Sequence, residues 1–424
     1  MTAEELRYPE AFPLARWAGA LVLAGAIVVA GALNLALSLS RADSVASFLL
    51  SAAAAFSVVP FYALLILWLD RHEREPGWLL LAAFFWGAAV ATLCAGVANS
   101  LASAILQAVL GRELGAKLVG PFVAPVTEET AKGAAVLLVA LLWRHEFNNT
   151  LDGVVYGALA GLGFTAVENV HYFLRALERG GLPGLAVSFY ARALVGGLGH
   201  SAYTACTGAG LGYAREAKSP AGRVAAPLVG FACAVFLHFA WNFTATFLDP
   251  WLTRLSRGNV WVDLFVVLPL TWGLLEAPAW VTLGVIAYLS WRREAFLVRA
   301  QLSGETDVVA EEDFPALLSP ALRFRALWEA LTRRGVGAWR DLRAYYDLAV
   351  DFAFAKHGAA GGTRDPRELD RYRSRLRELR QRLRGVSRSL THELVSRSRL
   401  RELRQRLRDR LRAPAEMRED GPGG

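Results

Sequence analysis

Two adjacent carboxylates, Glu128 and Glu129, and an ammonium, Lys132, interrupt the apolar run "VAPVTEETAKGAAVLLVALLW" between Val123 and Trp143. Ionisable side chains in hydrocarbon cost roughly 2.5–3.5 kcal/mol each on insertion scales, so they persist where they face a protein interior or a wet cavity. A helix places Glu128 and Lys132 four apart on one face, with Glu129 about 100° around it. One carboxylate then pairs with the ammonium. The other is left to bind a water or a metal and, poorly solvated, to take and return a proton. An inter-helix ion pair with no catalytic role accounts for the same three residues equally well.

The next apolar stretches carry further polar groups. In "GVVYGALAGLGFTAVENVHYF", Gly153, Gly157 and Gly161 form a small-residue face that lets a neighbouring backbone come close. Glu168, Asn169 and His171 follow, and the glycine face is expected to bring Glu168 towards the Glu128 helix, with His171 capping the outer end near the headgroups. His200 lies among Gly196, Gly197, Gly199 and Gly208, where little bulk shields its imidazole. His238 and Asn242 are four apart in "FLHFAWNF" and project from one face. Each is explicable as a satisfied core group; together they could donate hydrogen bonds to a developing oxyanion.

The elements that must hold these residues are membrane helices. The chain has 424 residues, 54% of them hydrophobic, and a mean hydropathy of +0.31, with the apolar residues in long blocks. Blocks long enough for a hydrocarbon core of about 30 Å fall near 15–39, 46–69, 77–98, 119–143, 152–175, 185–213, 224–248 and 260–290, with 99–118 an extension or an interfacial segment. The expected fold is all-α: a polytopic bundle of about eight transmembrane helices over residues 1–292, then an Arg-rich helical cytosolic region over 293–424. The first block is read as a retained span, because it is longer than a signal-peptide core and lacks a small-x-small cleavage site. Basic residues in the short loops, Arg71, Arg74, Arg144, Arg215, Lys218 and Arg223 among them, and the basic tail place both termini in the cytoplasm. Glu128, Glu168, His200 and His238 would then meet between the midplane and the outer face.

Cys94, Cys206 and Cys233 all fall within predicted spans without metal-ligand spacing, so neither a disulfide framework nor a thiolate site is indicated. The net charge of +8 resides largely in the tail, which points to anionic lipid headgroups and not to specific nucleic-acid binding. Segment 302–320 reads as an acidic linker or docking loop, and 321–357 as a helix. Beyond "GAAGGTRDP", a seam of Leu369, Tyr372, Leu376, Leu379, Leu383, Val386 and Leu390, with "RSRLRELRQRLR" occurring at 373–384 and again at 397–408, suggests a coiled coil or helical hairpin able to self-associate. A merely solvated charged helix is the plainer reading.

Taken in order, "EETAK", "GFTAVEN", His200 through Gly208, and "HFAWN" resemble the EExxK, FxxxEN, HxxxxxxxG and HxxW(N/D) blocks of the PrsW family of intramembrane proteases, relatives of the CAAX prenyl endopeptidases and of the scaffold subunit of gamma-secretase. The motifs cover roughly residues 119–248, and the C-terminal region lies outside them. The resemblance implies peptide hydrolysis within a bacterial-type cytoplasmic membrane, the substrate being a single-span regulator such as an anti-sigma factor. By the same likeness Glu128 activates the water, Glu129 supports it or pairs with Lys132, and His238 and Asn242 polarise the scissile carbonyl. Glu168 stands where the CAAX enzymes have histidine, and His200 is the imidazole that could replace it.

Two chemistries stay open. In one, Glu128, Glu168, His200 and His238 form a mixed shell for Zn2+; in the other, no cofactor is needed and Glu128 with an imidazole moves the proton. No HExxH motif is present, and the residues lean slightly to the metal-free form. A non-catalytic scaffold of the same fold and a proton-coupled transporter are the competing classes. Retention of the glutamates and histidines speaks against the first. Against the second, no internal repeat or pair of interrupted half-helices is evident.

Overall fold

In lipid a backbone must satisfy its own hydrogen bonds, and this chain does so with helices: the computed structural model is 90% helical, with no strand among the described residues. It describes residues 14–69, 75–144, 146–248, 251–252, 254, 256–360, 366 and 368–383. Two compact units part between Ser290 and Trp291.

The first unit contains α1 (Leu14–Arg41), α2 (Val45–Leu69), α3 (Gly77–Leu110), α4 (Arg112–Leu118), α5 (Ala124–Leu142), α6 (Thr150–Phe189), α7 (Gly199–Glu216), α8 (Pro220–Phe243) and α9 (Val260–Leu275), after which α10 (Ala277–Leu302) begins. Five helices are long and apolar enough to cross a membrane, or six if α9 and α10, bent by 46°, form one span. The count differs from eight at two places. Helix α5 carries Glu128, Glu129 and Lys132, too many charges for that criterion. The run Thr150–Glu216 has 67 residues, about 100 Å of helix, and it is broken at Gly181 (φ 60°) and again after Val195. Residues 99–110 extend α3, and Gly111 (φ 87°) turns the chain into α4.

Helix α6 begins at a capping box: Asn149 Oδ1 accepts from the Asp152 N–H at 3.1 Å, while Asp152 Oδ2 accepts from the Asn149 N–H at 3.0 Å. Every residue from Thr150 to Ala166 is buried, so this half is enclosed on all sides, by α2, α3, α5 and α7. The glycine stripe faces α7. A Cβ at Gly153 would stand 1.9 Å from the Gly208 carbonyl oxygen, one at Gly157 2.5 Å from that of Thr204, and one at Gly161 2.3 Å from that of His200. The stripe therefore brings the backbone of the His200 helix against α6, and Glu168 meets His200 as a result, where the sequence suggested the Glu128 helix. On the outside of the unit, Leu21, Val22, Phe61, Leu64, Val224 and Phe236 are exposed, as lipid-facing residues are.

The second unit has a conventional core. Val298, Leu302, Val308, Val309, Ala316 and Leu317 pack with residues of α12 (Pro320–Ala360) and α13 (Glu368–Arg382), α11 (Phe314–Leu318) lying between. Segment 302–320 is thus built into a core instead of forming a linker, because its apolar residues, Leu302, Val308, Val309, Ala316 and Leu317 buried and Phe314 and Leu318 packed against them, outweigh its acidic ones. Seam residues Tyr372, Leu376, Leu379 and Leu383 are buried in the same core, so this half of the seam is already covered within the chain. Val386, Leu390 and the second copy of the repeat lie outside the described residues.

Candidate active site

On α5 the two carboxylates are adjacent in sequence and opposite in circumstance. Glu129 is fully buried and accepts from three side chains: Lys132 Nζ at 2.6 Å, Thr204 Oγ1 at 2.9 Å and His238 Nδ1 at 3.0 Å. A carboxylate so occupied has no reason to move a proton; it fixes the lysine and the imidazole. Lys132 also lies 4.4 Å from the centroid of the Phe164 ring.

Glu128 has little. Its Oε1 accepts from Asn99 Nδ2 at 3.2 Å, and Thr127 Oγ1, donating to Asn99 Oδ1 at 2.6 Å, turns that amide so its N–H2 faces the carboxylate. Its Oε2 is buried without a hydrogen-bond partner, 3.8 Å from His238 Nε2 and 4.0 Å from Lys132 Nζ. Buried polar atoms are seldom left unpaired, and such an exception calls for a functional reason. The ammonium expected to pair with one of the two glutamates is thus held close by Glu129.

The imidazoles follow from the same network. Glu129 is acceptor-only, so His238 carries its proton on Nδ1 and presents the lone pair of Nε2 towards Glu128. Lys132 Nζ lies 2.7 Å from His200 Nδ1; an ammonium only donates, so the His200 proton is on Nε2, which lies 3.1 Å from Glu168 Oε2. Glu168 is in turn held by Arg192, whose Nε donates to Asn169 Oδ1 at 2.9 Å and whose guanidinium covers the Tyr172 ring. The two imidazole rings are perpendicular, with centroids 4.8 Å apart. His171 Nε2 lies 2.8 Å from Ser38 Oγ, outside this network.

A cavity of about 710 Å³ opens onto these groups, lined among others by Glu128, Glu168, His200, His238 and Asn242. Glu129 and Lys132 stand behind its wall. Asn242 is at the cavity, but its Nδ2 donates to the Gly120 carbonyl at 2.9 Å, so its amide is already engaged. Ligand atoms of Glu128, His200 and His238 lie within 4.8 Å of one another. These three fit a metal ion. Glu128 Oε2 lacks a donor among the described residues, His238 Nε2 offers a lone pair backed by a carboxylate on Nδ1, and His200 would offer Nε2 in its other tautomer, with the proton on Nδ1 received from Lys132 and the Nε2 proton released. Glu168 is outside the trio, being committed to Arg192.

Five contributors escaped the sequence reading: Asn99, Arg192, Tyr203, Thr204 and Glu276. A solitary amide in the apolar run of α3 and the spacing of His200 with Tyr203 and Thr204 were the available signals. Arg192 is an isolated charge in the first third of one predicted span, and Glu276 a lone carboxylate in the middle of another, 260–290, a signal of the same kind as Glu128; the packing assigns both to the cavity.

A cavity of this size with carboxylates and imidazoles in its wall, inside helices apolar enough to span lipid, defines an integral membrane protein with a hydrolytic type of site. Residues 75–274 match the family model described as PrsW family intramembrane metalloprotease. This stretch is similar to the intramembrane protease domain of the PrsW family. No curated protein and no solved structure matches the chain significantly.

Proposed function

We propose that the protein is an intramembrane endopeptidase that cleaves a single-span regulatory membrane protein, with Glu128 as the general base. The carrying observation is the contrast between the unpartnered Glu128 Oε2 and the triply bonded Glu129 beside it. Water held between Glu128 Oε2 and His238 Nε2 loses its proton to the carboxylate and attacks the scissile carbonyl; Asn99 keeps the base aimed, and Glu129 keeps His238 in the tautomer that faces the water. Glu128 then returns that proton to the leaving amine, while His200 is held in the cavity wall by Lys132 on Nδ1 and by Glu168, itself paired with Arg192, on Nε2.

Glu128, His200 and His238 would hold Zn2+. When bound, the ion would act as a Lewis acid on water and carbonyl. This is a second reading, in which Glu128, His200 and His238 are ligands and Glu128 is not the base; the family model's description as a metalloprotease and the convergence of the three donors support it. Eight crossings with both termini cytoplasmic are retained as part of the reading, α5 crossing despite its charges and Thr150–Glu216 crossing twice. In a background lacking the native cysteines, an impermeant thiol reagent then labels a cysteine at Arg179 from outside and none at Lys218.

The test is a comparison of membrane proteomes from cells carrying wild type or Glu128→Gln. One single-span protein should be truncated only in wild type, and purified Glu128→Gln should lose about 10²-fold or more in turnover while staying folded. Full turnover by the folded variant would sink the assignment of the base. Metal analysis of active wild type decides between the two: about one zinc per chain, reduced in His238→Ala, supports the ligand reading, and activity in protein free of metal supports Glu128 as the base.

A further inference from the structure

Glu276 lies just beyond the segment that matches the family, at the bend between α9 and α10, and is 2% exposed. The bend turns its carboxylate into the cavity wall beside Gly199, His200 and His238. Oε1 accepts the hydroxyl of Tyr203, and Oε2 has no hydrogen-bond partner. Tyr203 stacks on His238, with centroids 5.2 Å apart and planes 16° apart, and meets the His200 ring edge-on. One aromatic ring therefore separates this carboxylate from the imidazole that borders both glutamates.

Charge balance marks Glu276 out. Of the four carboxylates around the cavity, Glu129 has Lys132, Glu168 has Arg192, and Glu128 faces His238 and, at 4.0 Å, the same lysine. Among the described residues Glu276 makes no ion pair and has only the neutral phenol of Tyr203. A buried carboxylate is costly without a partner of opposite charge, and one in the wall of a substrate cavity can receive that partner with the substrate. Gly199 supports this by leaving room, since a Cβ there would come within 3.5 Å of Glu276 Oε1 and 3.3 Å of the Tyr203 hydroxyl.

Resting on the protease reading, we propose that Glu276 is a specificity-determining residue: its Oε2 receives a cationic side chain, lysine or arginine, that the substrate carries within a residue or two of the scissile bond. Tyr203 is its positioning residue, holding Oε1 and leaving Oε2 for the substrate. A single membrane-spanning stretch with a basic residue near the cut is the substrate class this selects, since lysine and arginine flank such stretches where the hydrocarbon ends.

The experiment uses the full chain, purified and reconstituted, with a membrane-spanning peptide in which one lysine, or the neutral isostere norleucine, is placed in turn at each position around the cleaved bond. Wild type should prefer lysine at one position by about tenfold or more in kcat/KM, the size of one charge-assisted hydrogen bond. Glu276→Gln should bring that ratio to near one, whereas Tyr203→Phe, which keeps the ring on His238, should lower it without abolishing it. A general positional fault would slow both peptides alike and leave the ratio unchanged, and this outcome overturns the proposal, as does a wild type with no basic preference. Should Glu276→Gln not fold, Glu276→Asp is read in its place: the ratio must fall or its position shift. Failure of folded wild type to cut any peptide would remove the protease reading itself, a result distinct from cleavage without charge preference.

Discussion

Lys132 and Glu129 meet at 2.6 Å with neither side chain exposed, in a unit whose outer faces carry leucine, valine and phenylalanine. Arg377 and Asp307 meet at 2.5 Å with about half of each side chain exposed, in the unit that begins at Trp291, and there the tyrosines and leucines are inside. One arrangement is nearly the other turned inside out. The difference follows from what surrounds each unit. Against hydrocarbon, apolar side chains gain little by hiding, so close backbone packing and internal polar contacts hold helices together; against water, burying Tyr345, Phe352 and Tyr372 supplies the driving force and charges remain at the rim.

The comparison predicts very different prices for removing a charge. Lys132→Met leaves Glu129 buried without its cation and frees His200 Nδ1, so we expect a loss of about 3–5 kcal/mol in stability, together with most of the activity. Arg377→Met should shift the melting temperature hardly at all, within about 0.5 kcal/mol. Equal losses in thermal unfolding of the two variants would break the contrast.

Glycines sharpen it. Gly157→Ala pushes a methyl to 2.5 Å from the Thr204 carbonyl oxygen, a backbone atom that can yield only by separating α6 from α7, and about 1–3 kcal/mol should be lost. At Gly337, in a helix with nothing within 4 Å, alanine should add up to about 1 kcal/mol. Unfolding in detergent, read for both variants in the full chain, would show opposite signs.

The smallest effect concerns pH. The guanidinium of Arg373 at 2.9 Å and then the ammonium of Lys356 at 3.0 Å hold the Glu305 carboxyl below its ordinary range. A depressed carboxylate contributes stability above its unfolded value, near 4.3, and loses it as pH falls through the folded one. Glu305→Gln should thus cost about 1 kcal/mol at neutral pH and flatten the acid limb below about pH 4. Hydrogen exchange along α12 and α13 between pH 3 and 7 measures this; an unchanged acid limb in the variant would argue that Glu305 is not the group responsible.

What could be read in the sequence was whatever helical spacing alone brings together. Glu128 with Lys132 and His238 with Asn242 are i, i+4 pairs, and their helices form where expected. Which of two adjacent glutamates takes the lysine was not readable, because it depends on Thr204 and His238 arriving from other helices. The direction of the glycine stripe was equally hidden: it guarantees a close neighbour without saying which one. Crossing count suffered for a related reason, since the charges that make α5 interesting are what remove it from a hydropathy measure.

Because Gly153 and Gly208 meet backbone to backbone, α6 and α7 behave mechanically as one stiff beam, with no side chains between them to slide or rotate. Glu168, His200 and Tyr203 ride on that beam and keep their spacing through every turnover. Helix α8 is clamped to the same beam, since a Cβ at Gly230 would stand 2.4 Å from the Cys206 carbonyl oxygen and one at Gly210 2.3 Å from that of Ala226, so His238 is carried with it and any lateral opening is left to the helices outside these three.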